Sequence, residues 1–313
     1  VAVKFNQDGI ALIHCYSEAM PQDLKQQILD LCQPPNDSVQ LLAETDHRIG
    51  KLYAKTVLAL IAKAQLKPTQ ISAIGCHGQT IRHSAPGGGN TAFSLQIGDA
   101  NIVAAETSIP VVADFRRKDM ALGGQGAPLV PAFHQYAFAS PNTNRVIVNI
   151  GGISNISFVA SNDDCIGFDT GPGNLLMDLW SQIHIGTHYD NNGDWAASGE
   201  PYQPLLQQMK RCEFFSRPAP KSTGRELFNH HWLNTQLAEF PQLASQDIQA
   251  TLLSLTAETI CEAIQNLNVS VDEVYICGGG AYNGQLMTKL AEQIPSLHST
   301  ESLGIAPNLV EGC

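Results

Sequence analysis

The chain has little positive charge, and that shortage excludes several classes of protein. Its 313 residues include 18 lysines and arginines against 29 aspartates and glutamates, which gives a formal net charge of −11 at pH 7. Surfaces that bind nucleic acid or anionic membranes need clustered lysine and arginine, whereas the densest basic run is Arg116, Arg117 and Lys118. We therefore expect no nucleic-acid partner and no membrane partner. An anionic small molecule would need a local cradle of positive charge.

The chain also lacks paired cysteines and long apolar runs. Its eight cysteines are scattered, with no C-x-x-C pair and no Cys/His cluster at zinc spacing, so we expect most of them to be small buried apolar side chains. No apolar run approaches the ~18 residues that cross a bilayer, and the pattern of a secretory signal is absent. These features predict a protein of the reducing cytoplasm.

Two common nucleotide-binding motifs are missing as well. The chain has no G-x-x-x-x-G-K-[ST] and no G-x-G-x-x-G after its first strand, which disfavours P-loop and dinucleotide-binding folds. What it does have is strand-like runs that alternate with helical stretches, an order typical of α/β proteins with parallel sheets and crossover helices. Because single cores stop growing near roughly 250 to 300 residues, we predict two domains. We place them at 1–125 and 126–313, with the crossing in the Gly- and Pro-rich segment 121–131.

Periodicity and turn residues predict the individual elements. The chain should open with a β-hairpin around Gln7, Asp8 and Gly9, and residues 84–90 should be a surface loop. Helices are predicted over 21–32, 38–64, 174–183, 248–267 and 284–293. Strands are predicted over 71–75, 109–113, 146–150, 156–160 and 274–277.

The richest chemistry lies in two glycine turns that each follow an apolar run. NIGGISN at 149–155 contains Gly151 and Gly152, and GFDTGPGN at 167–174 contains Asp169 beside Gly171 and Gly173. A single glycine turn between hairpin strands is usually structural, but two on neighbouring strand ends can present N–H groups to one polyphosphate from two sides. An acid at such a strand end can orient a water or a hydroxyl. Asp169 is therefore the candidate base.

GGGAYN at 278–283 is a third glycine turn, placed between a predicted strand and a predicted helix. Three consecutive glycines cost backbone entropy that a plain turn does not need. They leave room for a flat ring or a phosphate against the backbone, and the following helix N-terminus favours negative charge. We favour ligand binding over a plain tight turn here.

Three polar motifs are open to more than one interpretation. DFRRKD at 114–119 is a solvated charged loop, or else Arg116 or Arg117 holds a substrate carboxylate in a bidentate pair. In CHGQT at 76–80 we treat His77 as structural. APKSTGRE at 219–226 is predicted to open a helix capped by Ser222 or Thr223, with Glu226 in its first turn. Lys221 and Arg225 of that motif can instead face a ligand.

In this order, CHGQT, DFRRKDMALGGQGAPLVPAFH, NIGGISN, GFDTGPGN, APKSTGRE and CGGGAYN closely resemble the anhydro-N-acetylmuramic acid kinases. This family belongs to the sugar kinase, Hsp70 and actin superfamily, and the resemblance covers nearly the whole chain. It implies a two-domain actin-like ATPase (ribonuclease H-like) fold with a nucleotide cleft between the domains. The implied reaction uses ATP, Mg²⁺ and water to open the 1,6-anhydro ring and phosphorylate O6. Its products are N-acetylmuramic acid 6-phosphate and ADP, in the recycling of peptidoglycan.

The resemblance also implies roles for individual residues. Asp169 would take a proton from the water that attacks the anomeric carbon, and the substrate contacts would be Thr80, Arg116 or Arg117, and Glu311. It assigns no metal ligand. The nucleotide contacts would be Gly151, Gly152, Asn155, Gly171, Gly173, Gly278, Gly279, Gly280 and Asn283.

The chain departs from the family pattern at three places. The family's first strand and first phosphate loop would lie before Val1, and the family continues past Glu311 into a closing helix. Asn308 stands where the family favours an acid. We expect, on this basis, a partial copy of the enzyme, and a homodimer as the commonest assembly.

Two other functions also fit an acid beside glycine turns. A glycoside hydrolase would use Asp169 with a second carboxylate roughly 5 to 9.5 Å away, but hydrolysis alone needs no phosphate-binding turns. A non-catalytic, nucleotide-gated sugar-binding protein would keep the turns without the reaction.

Overall fold

The computed structural model describes residues 1–6, 9–33, 36–84, 86, 91–161 and 165–313. The strands are β1 Ala2–Asn6, β2 Gly9–His14, β3 Ile74–Cys76, β4 Gln79–Ser84, β5 Phe93–Ile97, β6 Val111–Ala113, β7 Arg145–Ile150, β8 Ile153–Val159, β9 Cys165–Pro172, β10 Glu273–Cys277 and β11 Leu297–Ser299. The helices are α1 Gln22–Leu31, α2 Val39–Lys63, α3 Ala100–Thr107, α4 Phe115–Ala121, α5 Pro131–Phe138, α6 Leu175–His184, α7 Gln203–Lys210, α8 Glu213–Ser216, α9 His230–Leu237, α10 Ser245–Gln265 and α11 Gly284–Ala291. The predicted α/β class is confirmed.

The chain divides into two compact units. The N-terminal unit is Val1–Ala127 together with Cys313, and the C-terminal unit is Pro128–Gly312. Among the described residues, no helix combines the length and the apolar character needed to cross a membrane.

The C-terminal unit contains a five-stranded mixed sheet in the order β11-β10-β7-β8-β9. β11, β10 and β7 are parallel, whereas β7, β8 and β9 form antiparallel pairs. The prediction of parallel pairing is therefore right for β11, β10 and β7 and wrong for β9, whereas the hairpin predicted around NIGGISN is confirmed by the antiparallel pair of β7 and β8. The reason for this pair is the short turn at Gly151 and Gly152, since parallel neighbours need a connection of a dozen or more residues.

Helix α10 packs into the core of this unit and supports the glycine turns. Strand β7 is buried from Val146 to Ile150, as expected for a strand covered on both faces. α10 carries buried hydroxyls as well as apolar side chains, and the Thr256 hydroxyl lies 3.0 Å from the Pro172 carbonyl oxygen and 2.9 Å from that of Gly173. The helix therefore fixes the turn that follows β9.

The N-terminal unit contains smaller sheets. β1 and β2 form an antiparallel pair, which confirms the predicted hairpin, although Gln7 and Asp8 of its turn lie outside the described residues. β3 pairs with β6 in parallel, and β4 pairs with β5 antiparallel; the sequence did not predict β4 or β5. Most of the predicted loop 84–90 also lies outside the described residues. A core cluster is formed by Leu24, Ile28, Leu31, Ile49, Ile81 and Ile97.

Several local predictions were wrong. The segment 114–119 is mostly helix α4 rather than a loop, because arginine and lysine are good helix formers. No helix begins within 219–226; α9 begins at His230 with Asn229 as its N-cap, and the Asn229 side chain accepts a hydrogen bond from Trp232 N. The predicted strand 71–75 is shifted to Ile74–Cys76. Of the eight cysteines, only Cys76, Cys261 and Cys277 are buried.

Candidate active site

The three glycine turns predicted from the sequence meet at one end of the mixed sheet. Gly173 N donates to Gly152 O over 2.9 Å, and Asn174 N donates to Gly151 O over 2.8 Å. A Cβ on Gly280 would lie 2.3 Å from Ile150 Cγ2, so the third turn packs against the end of β7. NIGGISN, DTGPGN and GGGAYN thus contact one another at this end of the sheet.

The first two turns use their N–H groups differently, which the sequence did not predict. From the sequence, both turns were expected to present N–H groups to a ligand. In the second turn, however, the N–H groups of Gly173, Asn174 and Leu175 all donate to carbonyl oxygens of the first turn. The N–H groups of Gly151 and Gly152 have no acceptor among the described residues. Only the first turn therefore has N–H groups to offer a ligand, and the second turn supports it.

Glycine is required where these turns touch. A Cβ on Gly173 would lie 2.4 Å from Gly151 O, which is backbone and cannot move aside. Gly278 has φ +82°, and a Cβ there would lie 2.4 Å from Asn149 Oδ1. At Gly152 the nearest atom to a Cβ is Leu175 Cβ at 4.0 Å, so this position is open.

Asn174 joins the second turn to the third, and the sequence analysis did not select it. Its Nδ2 donates to Ile150 O over 3.2 Å. The same nitrogen lies 3.6 Å from a Cβ built on Gly279, and Asn174 Oδ1 lies 3.3 Å from one built on Gly280. The only signal in the sequence was its place as the last letter of DTGPGN.

Asp169 lies on β9 next to the turns and is 5 % exposed. It is the cross-strand partner of Asn155 on β8. Its Oδ2 accepts a hydrogen bond from Thr223 N at 2.9 Å, and its own N donates to Lys221 O at 3.0 Å. Backbone groups therefore fix the orientation of this carboxylate.

The segment 221–224 is the element that holds Asp169, whereas the sequence had suggested helix capping, or a ligand contact through Lys221 and Arg225. Lys221 Nζ donates to the carbonyl oxygens of Phe214 and Phe215, each at 3.1 Å. Burial and the nearby Arg217 lower the pKa of Lys221, while the charge of Asp169 opposes this shift. The hydroxyls of Ser222 and Thr223 are buried and have no partner among the described residues. Polar groups thus surround the carboxylate on this side.

A cavity of about 400 Å³ adjoins the turns. Of the predicted nucleotide residues, Gly279 and Asn283 line it. Asn283 also caps α11, since its Oδ1 accepts from Leu286 N at 3.0 Å. The other lining residues, which the sequence did not indicate, are Asn174, Met177, Asp178, Tyr189, Asp190, Asn191, Asn192 and Tyr282.

Glu311 lies at the end of β7 and β10, close to the third glycine turn. Its Oε1 accepts a hydrogen bond from Asn149 Nδ2 at 2.6 Å. Together with burial, the charge of Glu311 raises the pKa of the Cys277 thiol. Its carboxylate is exposed, so a ligand can reach it.

The remaining predicted residues belong to the N-terminal unit, where Arg116 joins three motifs. Arg116 Nε donates to His77 Nε2 over 2.8 Å, and Nη1 donates to Gly126 O over 3.1 Å. Because His77 Nε2 accepts, its Nδ1 carries the proton, which it donates to Gly78 O at 2.8 Å. His77 is thus a neutral residue that orients Arg116.

Arg117 and Thr80 have different surroundings. Arg117 forms a two-bond ion pair with Asp114, with Nε–Oδ1 at 2.7 Å and Nη2–Oδ2 at 2.6 Å. Thr80 Oγ1 accepts from Gln96 Nε2 at 3.0 Å. His83, which the sequence analysis did not select, lies 3.1 Å from Ser94 Oγ through its Nδ1. Burial and Arg116 lower the pKa of His83.

The family model and the curated relatives that match this chain all carry the same family name. The family described as anhydro-N-acetylmuramic acid kinase matches residues 1–313. The kinase of that name from Shewanella sp. (strain ANA-3) is 50 % identical over 315 residues, covering 100 % of this chain and 85 % of its own length. The Pasteurella multocida (strain Pm70) kinase is 48 % identical over 303 residues, covering 96 % of this chain and 80 % of its own length.

Solved structures with some similarity include an activator of one dehydratase and component A of another. The activator of the 2-hydroxyisocaproyl-CoA dehydratase from Clostridium difficile with bound ADPNP has a TM-score of 0.40 and 15 % identity, over 76 % of this chain and 88 % of that one. Component A of the (R)-2-hydroxyglutaryl-CoA dehydratase from Acidaminococcus fermentans has a TM-score of 0.41 and 12 % identity, over 83 % of each chain. The sequence relatives, rather than these structures, determine the family.

Proposed function

This chain belongs to the anhydro-N-acetylmuramic acid kinase family, and from that premise we propose a specific division of work among its residues. The reaction is the ATP-dependent opening of the 1,6-anhydro ring by water with phosphorylation of O6, in peptidoglycan recycling. One observation supports this most strongly. In a chain about half identical to named kinases over its full length, three glycine turns meet beside a buried carboxylate.

Asp169 is the general base. Its carboxylate accepts a proton from the water that attacks the anomeric carbon, while the bond between C1 and the bridging O6 breaks. The released O6 attacks the γ-phosphorus of ATP, whose bond to the β–γ bridging oxygen breaks, so that ADP leaves. The hydrogen bond from Thr223 N holds Oδ2 in place, so the carboxylate need not reorient during the reaction. Positioned base catalysis contributes typically ~10² to 10⁴-fold.

The first glycine turn binds phosphate. The N–H groups of Gly151 and Gly152 are the donors, because those of the second turn are already used within the protein. Gly171 and Gly173 act as supporting residues of this nucleotide site rather than as direct donors. Gly278, Gly279, Gly280 and Asn283 form the adenosine side, next to the 400 Å³ cavity.

Mg²⁺ fits this end of the sheet without a protein cage. Within the described ranges, no group of three or more His, Cys, Asp and Glu side chains can hold a metal ion. Mg²⁺ that accompanies a nucleotide takes most of its ligands from phosphates and water. Asn149 Oδ1 and Asn155 Oδ1 are buried without a partner among the described residues, so these oxygens would hold the ion through its water shell. When bound, the ion neutralises charge on the phosphates.

For the sugar, we assign Arg116 rather than Arg117. Arg117 is committed to a two-bond pair with Asp114, whereas the acceptors around Arg116 include the neutral His77 ring and the Gly126 carbonyl. A guanidinium can form a bidentate, charge-assisted pair with the carboxylate of the muramic acid. Thr80 and Glu311 remain the other proposed sugar contacts.

The wider setting is proposed on the same basis. We propose domains at 1–125 and 126–313, a cytoplasmic location and a homodimeric assembly. Size-exclusion chromatography with light scattering gives the assembly directly, and a monomer at micromolar concentration would contradict the dimer.

One assay tests the function against both alternatives. The protein is incubated with the anhydro-sugar, with and without MgATP, and sugar phosphate and opened sugar are followed. We expect sugar phosphate only with MgATP. Opened sugar without ATP would indicate a glycoside hydrolase, and ATP binding with no conversion would indicate a nucleotide-gated binding protein. The family relationship favours neither alternative.

A further inference from the structure

Two acids line the cavity, and their surroundings are opposite. Asp190 is 7 % exposed and accepts three hydrogen bonds: Oδ1 accepts from Trp195 N at 2.9 Å, and Oδ2 accepts from Ala196 N at 2.9 Å and Gln249 Nε2 at 3.3 Å. Asp178, on α6, receives no side-chain or backbone hydrogen bond on its carboxylate from any described residue. Burial raises the pKa of Asp178 to about 6, an effect that the charge of the exposed Arg225 partly opposes.

A half-buried carboxylate without donors costs folding free energy. Asp178 therefore makes the folded unit less stable than a neutral side chain of the same shape would. Residues that weaken a fold in this way are concentrated at functional sites, where a ligand supplies the missing partner. Asp190 lacks this need for a ligand, because three hydrogen bonds from the protein already stabilise its carboxylate.

The chemistry of the cavity indicates which ligand group would supply the missing donors. Asp178 shares the cavity with Gly279 and Asn283, the proposed adenosine side. A carboxylate repels phosphate but matches two adjacent hydroxyl donors, and acids commonly accept from ribose hydroxyls in nucleotide sites. The exposed rings of Tyr189 and Tyr282 line the same space, and such faces suit the flat base instead.

We propose that Asp178 accepts hydrogen bonds from the ribose hydroxyls of the nucleotide and so selects ribonucleotides over 2′-deoxyribonucleotides. This assignment rests on the proposed function only for placing adenosine in the cavity. Asp178 is a specificity-determining residue, and the phosphates and the sugar substrate are bound elsewhere.

The test compares KM for ATP and for 2′-deoxyATP in the wild type, Asp178→Asn and Asp178→Ala. Hydrogen bonds to charged groups predict a wild-type KM for 2′-deoxyATP at least ~10-fold above that for ATP. In Asp178→Ala the KM for ATP should rise until the two values agree within ~3-fold, with kcat at saturation little changed. Glu239→Gln removes an exposed carboxylate of the same unit and should keep the wild-type ratio.

Two outcomes would overturn the proposal. One is an unchanged ratio of the two KM values in Asp178→Ala. The other is an Asp178→Ala variant in which the ratio of KM values for ATP and inosine triphosphate changes while the ratio for ATP and 2′-deoxyATP does not. That result would mean that Asp178 contacts the adenine ring rather than the ribose. Thermal melting of both variants checks folding, and Asp178→Asn preserves the side-chain volume.

Calorimetric binding of ATP and 2′-deoxyATP without sugar separates this inference from the proposed function. A wild type that binds ATP with Asp178-dependent ribose selection but phosphorylates no sugar would refute the function and keep the inference. If the protein is an active kinase but the ratio of its KM values for 2′-deoxyATP and ATP is the same with and without Asp178, only the inference is refuted.

Discussion

The turns after β7 and β9 look alike in sequence and behave differently in the structure. Both are glycine-rich and both follow a buried strand, yet the N–H groups of Gly151 and Gly152 have no acceptor in the described part of the chain, while those of Gly173 and Asn174 donate to the first turn. The second turn instead carries Asp169. The difference teaches that glycine content alone does not identify a phosphate-binding turn; the direction of its hydrogen bonds does.

The largest effect, a loss of kcat, should come from replacing Asp169, the acid at the second turn. Asp169→Asn keeps an oxygen for the hydrogen bond from Thr223 N, so the fold should persist. Loss of the base should lower kcat by ~10² to 10⁴-fold. Steady-state kinetics with saturating ATP and sugar measure this. An unchanged kcat would remove Asp169 from the mechanism.

The next effect tests whether the second turn supports the first. In Gly173→Ala the new Cβ would lie 2.4 Å from Gly151 O, so the two turns must separate. We expect a loss of ~2 to 4 kcal/mol in the free energy of unfolding, measured by urea denaturation, because a backbone clash cannot be relieved by a side-chain rotation. Gly186→Ala is an unsuitable control because of its positive φ; Gly152→Ala, at an open position, should cost less than ~1 kcal/mol. Equal losses at both positions would contradict the supporting role.

A smaller effect tests whether the first turn faces phosphate. Gly152→Asp places a negative charge at the open position without a clash, and like-charge repulsion should raise the calorimetric Kd for ATP by at least ~10-fold. Gly152→Asn has the same shape without the charge and should bind ATP more tightly than the Asp variant. If Asp and Asn variants bind alike, the turn does not contact phosphate.

The smallest expected effect concerns the two acids: a backbone N–H donates to the carboxylate of Asp169, whereas no described residue donates to that of Asp178. Asp178 titrates at about 6 in the folded protein, above its ordinary 3.8, so its folding penalty is absent below pH 4 and fully present above pH 6. After discounting for partial exposure, Asp178→Asn should stabilise the protein by on the order of 1 kcal/mol at pH 7. This gain should vanish as pH falls below about 4, as thermal melts across pH would show. If the stability gained in Asp178→Asn does not depend on pH, the charge of Asp178 is not the cause of the folding penalty.

The sequence predicted the strand ends and glycine turns well, because strand periodicity and glycine runs are local signals. It predicted β7, β10 and α10 nearly to their observed bounds, and it paired the first two turns, although it did not predict that the third turn meets them. It missed the segment 221–224 that holds Asp169. Thr223 lies 54 residues from Asp169 along the chain, and a hydrogen bond across that separation leaves no periodic trace.

The same limit explains the other omissions. Residues 189–192 line the cavity through irregular backbone, which carries no pattern in the sequence. The donors of Gly173 and Asn174 are used within the protein, and no composition rule distinguishes used from unused N–H groups. Helix α4 was not predicted, because a run of charged residues is equally typical of a solvated loop.

The division of work between the two turns is tested most directly by measuring kcat and the calorimetric Kd for ATP in both Asp169→Asn and Gly152→Asp. We predict that Asp169→Asn loses kcat by at least ~100-fold with the Kd for ATP within ~3-fold of wild type. Gly152→Asp should do the reverse, weakening ATP while keeping most of kcat at saturation. Both variants changing the same parameter would contradict the division of work between the two turns.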